Sequence, residues 1–201
     1  GTTLYFGFMP GFISDLSGNP SDSANLGNVI TEIGDVVAPT ASLVTLNVEN
    51  GKLTIDFQET IDLTTYGVNL SAIVLSNSTN GKQIRLTGAT TEVGSTSLVT
   101  SVVTILTETQ RAWAVLYSGT TGGDGVQLTL KLEANAFFDL SGNGNEEVGF
   151  KVNEVDDTIL PTIRSATINY EMGTIVIEFS ETVKYTMDDR WPNSYFHLHK
   201  M

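Results

Sequence analysis

The pentapeptide DLSGN combines residue types that bind calcium, and the sequence contains it twice, at residues 15–19 and 139–143. In each copy an aspartate and an asparagine lie four positions apart, Asp15 with Asn19 and Asp139 with Asn143, around a glycine that favours a tight turn. Such a turn can place side-chain oxygens on one side, and calcium prefers carboxylate, amide and backbone oxygens. The alternative is that these side chains hydrogen-bond their own turn and need no metal.

A further pair of carboxylates follows each copy. The segment DVVAPTASLVTLNVENGKLTIDFQETI, which begins at Asp35, aligns with DTILPTIRSATINYEMGTIVIEFSETV, which begins at Asp157, at an offset of 122 positions. This alignment pairs Glu59 with Glu181, each on the second strand of a predicted hairpin. We expect an interdomain calcium ion that stiffens a junction, bound by Asp139, Asn143, Asp157 and Glu181, with the equivalent site formed by Asp15, Asn19, Asp35 and Glu59.

The chain holds few side chains suited to catalysis. It has no cysteine, and its two histidines, His197 and His199, lie within the last five residues. A Ser–His–acid or Cys–His centre therefore cannot be assembled elsewhere in the chain. The two histidines could share one side of a strand and ligate a transition metal, but two ligands are a weak signal. We expect no enzymatic activity and no catalytic residues.

The charge of the chain is strongly acidic. Its formal net charge is −13, from 23 Asp and Glu against 10 Lys and Arg. Because no basic stripe accompanies these acids, we expect no nucleic-acid partner. No apolar run approaches the ~18 residues of a membrane span, so we expect no span in this segment. Acidity suits cation binding, and it equally suits a solvated surface.

Two sequons could carry glycans. Asn69-Leu70-Ser71 and Asn77-Ser78-Thr79 both lie in turn-rich sequence. The alternative is a chance match in a chain rich in Ser and Thr. If the source is a eukaryote, we expect glycosylation of Asn69 or Asn77.

The two aligned blocks define an internal repeat of about 122 to 124 residues. When the segment before the first DLSGN is shifted by 124 positions, Leu4 and Phe8 align with Leu128 and Leu132. The apolar alternation before the two copies is therefore in phase. The predicted parts are residues 1–34 as the C-terminal part of a preceding repeat, 35–156 as a complete repeat, 157–183 as the N-terminal hairpin of a following repeat, and 184–201 as a non-matching tail.

Within the complete repeat, short alternating segments separated by Gly, Asn and Ser turns predict an all-β fold, with strands at residues 72–77, 82–87, 98–107, 126–133 and 147–152. We expect antiparallel strands forming a β-sandwich, with a hairpin around Asn50-Gly51. Thr107 and Gln110 form a predicted capping box, which indicates one short helix inserted in each repeat. We expect Trp113 on this helix to plug the end of the sandwich.

These blocks resemble a known family of repeats. FFDLSGNGN, followed by DDTILPTIRSATIN and GTIVIEFSETV, is similar to the bacterial-type Ig-like repeat, including the SbsA-like Ig repeat and the SwmB-like repeat. The first copy departs from the pattern at Gln58, where the second copy has serine. The resemblance implies tandem antiparallel Ig-like sandwiches in extracellular or cell-surface proteins, and it implies no reaction.

The function we expect is structural: an extracellular stalk, surface layer or filament, with calcium at the repeat junctions. The alternative is an adhesin module that binds glycan or protein through loops at the sandwich end. Expected partners are neighbouring repeats of the same chain or other copies of it. In one hypothesis the incomplete repeats of two molecules complement each other head to tail; the rival hypothesis is a segment of a longer array.

Overall fold

The computed structural model describes residues 4–22, 28–93 and 98–184. The chain divides into two compact units, one ending at Val36 and one beginning at Val37. His197, His199 and nearly all of the predicted tail lie outside the described residues.

The first unit is built on a short antiparallel pair and a turn. Strand β1 (Tyr5–Phe6) pairs with β2 (Asn28–Val29), with Tyr5 opposite Val29. The equivalent pair in the second unit is Thr129 opposite Lys151. Thr129 lies 124 positions after Tyr5, and Lys151 lies 122 positions after Val29. The in-phase alternation predicted before the two pentapeptides therefore corresponds to equivalent strand pairs.

The second unit contains a sandwich of two sheets, so the all-β prediction is confirmed. Across the described residues one sheet has the order β11-β3-β4-β8-β7 and the other β10-β9-β5-β6. The bounds are β3 (Ala41–Asn47), β4 (Lys52–Asp62), β5 (Ile73–Ser76), β6 (Gln83–Arg85), β7 (Thr90–Glu92), β8 (Leu98–Ile105), β9 (Thr129–Leu132), β10 (Val148–Lys151) and β11 (Asn153–Val155), with a 3₁₀ turn at Leu70–Ala72.

One strand pair departs from the predicted antiparallel arrangement. β11 runs parallel to β3, because the chain leaves β10 in one sheet and crosses to the edge of the other. The remaining pairs within the sandwich are antiparallel among the residues described.

The core follows from the alternation of apolar side chains. Leu53, Ile55 and Phe57 are buried on one face of β4, as their spacing predicts. Leu130 and Leu132 of β9 are also fully buried. These side chains belong to one hydrophobic cluster, so the two sheets share a core.

Helix α1 (Glu108–Tyr117) begins at the predicted capping box. Gln110 N–H donates to Thr107 Oγ1 at 3.2 Å, and Thr107 N–H donates to Gln110 Oε1 at 2.9 Å. The inward-facing residues are Gln110, Arg111 and Ala114, whereas Trp113 is 46% exposed and stacks on Tyr117. The prediction that Trp113 plugs the sandwich was wrong, because the inward stripe at 110, 111 and 114 turns position 113 outward.

A second hairpin follows the sandwich within the same unit. β12 (Ile163–Asn169) and β13 (Thr174–Phe179) are antiparallel, and almost every residue in them is exposed. The residues on either side of this hairpin contact helix α1 and belong to the candidate site.

Candidate functional site

The second DLSGN copy is a turn closed by its own aspartate. Asp139 Oδ1 accepts hydrogen bonds from the backbone N–H groups of Ser141 and Asn143, both at 2.8 Å. Its Oδ2 accepts from Asn143 Nδ2 at 2.7 Å, and Gly142 has a φ of +87°. Asp139 itself is buried. The carboxylate therefore satisfies the donors of the turn that contains it.

The first copy has the same network. Asp15 Oδ1 accepts from the N–H groups of Ser17 and Asn19, both at 2.9 Å, and its Oδ2 accepts from Asn19 Nδ2 at 2.8 Å. Gly18 has a φ of +84°, close to the value in the second copy. This copy is exposed to solvent. The pentapeptide thus recurs as one turn geometry, which supports the metal-free alternative for these pairs.

Hydrogen bonding stabilises the charged form of both aspartates. Burial acts to raise the pKa of Asp139, but the hydrogen bonds from Asn143, Ser141 and Gly142 outweigh it, so the net shift is downward. The side-chain hydrogen bond from Asn19 is the main cause of the lowered pKa of Asp15. Both turns therefore hold an ionised carboxylate at neutral pH.

The buried turn lies beside the end of β4. Asp62 N–H donates to the carbonyl of Phe138 at 3.0 Å, and Asp139 forms an isolated bridge with Ile61. A carboxylate oxygen of Glu59 lies within 4.8 Å of one of Asp139. Asp139 is therefore near Glu59, which the sequence analysis assigned to the other calcium site.

Asp157 and Glu181 do not join Asp139 in a three-carboxylate cluster among the described residues. After the turn, β10 and β11 carry the chain along the sandwich, and strands advance about 3.3 Å per residue. The predicted set of Asp139, Asn143, Asp157 and Glu181 is therefore not brought together. Asp35 is exposed and lies in a stretch of the first unit without regular secondary structure.

Asp157 and Glu181 instead bind an arginine of helix α1. Asp157 Oδ2 accepts from Arg111 Nη1, and Glu181 Oε2 accepts from Arg111 Nη2, each at 3.2 Å. Glu108 accepts from the same guanidinium at 2.7 and 2.9 Å, and the Val48 carbonyl accepts at 2.9 Å. We call Arg111 with these acceptors the arginine clamp.

The clamp is buried at its centre. Arg111 is 6% exposed, and Glu108 also accepts from the backbone N–H of Thr182 at 2.8 Å. The hydrogen bonds from Arg111 lower the pKa of Glu108 to about 2, although burial opposes this shift. The Glu108 hydrogen bonds are likewise the main cause of the raised pKa of Arg111. The clamp is therefore ionic at neutral pH.

Sequence reasoning missed Arg111. Its acceptors lie 46 and 70 positions away in Asp157 and Glu181, and such separations leave no local pattern. The available signal was the Glu108–Arg111 pair, three positions apart after a capping box. The clamp joins segments that are distant in the sequence: helix α1, the residue after β3, and the residues on either side of hairpin β12–β13.

The two sequons differ in accessibility. Asn69 is exposed, and its Oδ1 accepts from Ser71 Oγ at 2.6 Å, so its glycosylation stays a prediction. Asn77 is 1% exposed, and its Nδ2 donates to the Tyr117 carbonyl at 2.9 Å and to Asp124 at 2.8 Å. A glycan on that nitrogen would displace these bonds, so the folded protein does not offer Asn77 as an acceptor.

No protein-family model matches the chain, and no curated protein sequence matches it. A solved structure, the N-terminal part of the bacterial S-layer protein SbsC, is similar over 75% of this chain at 13% identity and a TM-score of 0.38. This chain covers 33% of that one. At this level the likeness decides neither fold family nor function.

Within the described part of the chain, no helix is both long and apolar enough to cross a membrane.

Proposed function

We propose that this chain belongs to a structural protein of tandem Ig-like repeats that forms an extracellular stalk, surface layer or filament, and that it is not an enzyme. One observation carries the proposal: hairpin β12–β13 has the same residue pairing as β3–β4 at an offset of 122 positions, and it is fastened to the preceding sandwich. Repeated units fastened end to end are suited to spanning distance.

The equivalence of the hairpins extends to an irregularity. In β3–β4 the register shifts between Ala41 and Leu43, and in β12–β13 it shifts between Ile163 and Ser165. Both hairpins then continue in register to their tips. This shared bulge supports β12–β13 as the start of a further Ig-like repeat, since bulges are specific features of a fold.

Surface labelling of the source cells tests the structural role. An antibody raised against the chain should label intact cells as strongly as permeabilised ones. Labelling that requires permeabilisation would contradict an extracellular stalk, layer or filament.

Other copies of the chain are proposed partners, through head-to-tail strand addition to hairpin β12–β13. Exposed apolar residues on the hairpin, including Ile163, Ile175 and Val176, support such an association. Analytical ultracentrifugation over a wide concentration range tests this part. We expect mass to grow with concentration, and a strictly monomeric species at high concentration would exclude it.

Calcium binding remains a proposal beside Glu59 and Asp139, whose carboxylates approach within 4.8 Å. A bound ion should raise the thermal midpoint, because stabilisation grows with ligand concentration over Kd. The test compares midpoints in millimolar calcium and in chelator, with Glu59→Gln as the matched variant. Equal midpoints in the unmodified chain would reject the ion.

A glycan-binding adhesin is the second candidate. The observation that favours it is the exposed ring of Trp113 stacked on Tyr117, with centroids 5.2 Å apart. Exposed aromatic faces can stack on sugars, although this pair lies on helix α1 and not on the predicted loops. Glycan-array binding that disappears in Trp113→Ala would favour this function, and no binding would exclude it.

A further inference from the structure

The arginine clamp uses the whole hydrogen-bonding capacity of one guanidinium. Arginine has about five N–H donors, and the sandwich supplies acceptors for three of them: both Glu108 oxygens and the Val48 carbonyl. The remaining two donors bind Asp157 and Glu181, which belong to the segment around the following hairpin.

We propose that this end of the sandwich is a docking surface for a hairpin that supplies two carboxylates, and that Arg111 selects such a hairpin. Since Arg111 is 6% exposed, losing either carboxylate would leave a buried N–H donor unpaired. This inference rests on the proposed function, because it identifies the partner of the sandwich at a repeat junction.

The docking surface is organised by the sandwich itself. Glu108 holds Arg111 in a bidentate pair, three residues earlier on a helix whose first turn is capped. The Val48 carbonyl, just after β3, fixes Nη1. With the guanidinium already held, little side-chain freedom is lost when the hairpin docks.

The partner carries its two carboxylates at a fixed spacing. Asp157 precedes β12 and Glu181 follows β13, 24 positions later. The same spacing separates Asp35 from Glu59 in the sequence. This two-carboxylate pattern therefore belongs to the hairpins of the repeat. Backbone contact reinforces docking, because Thr182 N–H donates to Glu108.

Hydrogen–deuterium exchange of the full chain tests the proposal at the Thr182 amide. Glu181→Ala and Arg111→Met should each speed its exchange by roughly tenfold or more, because each breaks a largely buried ion pair. Amides of β4 should stay protected. Glu181→Ala lies outside the hydrophobic core of the sandwich, so this variant stays informative even where Arg111→Met fails to fold.

A charge exchange and a matched control complete the test. Arg111→Glu should free the Thr182 amide, and adding Glu181→Arg should restore its protection. Arg85→Met removes a bidentate pair with Glu133 elsewhere on the sandwich and should leave Thr182 unchanged. Unchanged exchange in Glu181→Ala would overturn the inference. That result would leave the structural function intact, because surface labelling tests the function separately.

Discussion

The hairpins β3–β4 and β12–β13 share one backbone design in two different environments. Val44 lies opposite Ile55 in the first, and Ala166 lies opposite Ile177 in the second, at the same offset of 122 positions. The tip glycines, Gly51 and Gly173, have φ values of +69° and +63°. Local sequence, including a glycine where the left-handed conformation is required, thus sets the hairpin geometry.

Burial is what separates the two hairpins. Phe57 of β4 is 6% exposed, whereas its counterpart Phe179 is 37% exposed. Phe57 also packs edge-on against Phe137, with centroids 4.9 Å apart. Geometry and stability therefore have different sources in these hairpins: turns and bulges define the backbone geometry, and burial against the facing sheet supplies the stabilisation.

The largest expected effect comes from the matched phenylalanines. Phe57→Ala should lower the free energy of unfolding by about 3–5 kcal/mol, because it leaves a cavity in the core. Phe179→Ala should cost about 1 kcal/mol or less, since that ring stays partly in water. Urea denaturation measures both. Equal losses would show that the second hairpin is as deeply packed as the first.

The two DLSGN turns give a smaller contrast. Asp139→Ala should lower the free energy of unfolding by about 1–3 kcal/mol, because it leaves buried donors of the turn unpaired. Asp15→Ala should lower it less, since water can replace the exposed Asp15 carboxylate. Denaturation should be repeated with calcium and with chelator. If Asp139→Ala lowered the free energy of unfolding only when calcium is present, this turn would be an ion site.

The clamp should also show a pH dependence. Glu108 has a pKa lowered to about 2 from an ordinary value of 4.5. The stabilisation that ionised Glu108 contributes to the folded state is therefore complete above pH about 4.5, and it is lost as the pH falls toward 2. The Thr182 amide shift, followed by NMR, should titrate with a midpoint far below 4.5. A midpoint near 4.5 would mean that Arg111 does not hold Glu108.

The longer strands were predictable because alternation and turn residues are local signals. β5, β6, β8, β9 and β10 each fall inside a segment predicted from the sequence. β7 (TTE) and β11 (NEV) were not predicted, because their mostly polar residues show no apolar alternation. The helix boundary was predictable from its cap, but its buried face was not, since Arg111 enters the interior only with distant carboxylates.

The candidate site was predictable only as separate residues. Asp157 and Glu181 were predicted as calcium ligands, and they were combined with the pentapeptide through sequence order. The structure places the Asp139 turn beside the end of β4. It places Asp157 and Glu181 elsewhere, against Arg111 of helix α1. An arginine supplies the positive charge where the sequence analysis placed calcium, and its partners are too far apart in sequence for a motif.

We infer that direct side-chain contacts fasten the following hairpin to the sandwich. Residual dipolar couplings of backbone amides, measured in chelator, test this inference. We expect one alignment tensor to fit both the sandwich strands and β12–β13. A hairpin that requires its own tensor, smaller in magnitude, would show that the contacts do not hold it.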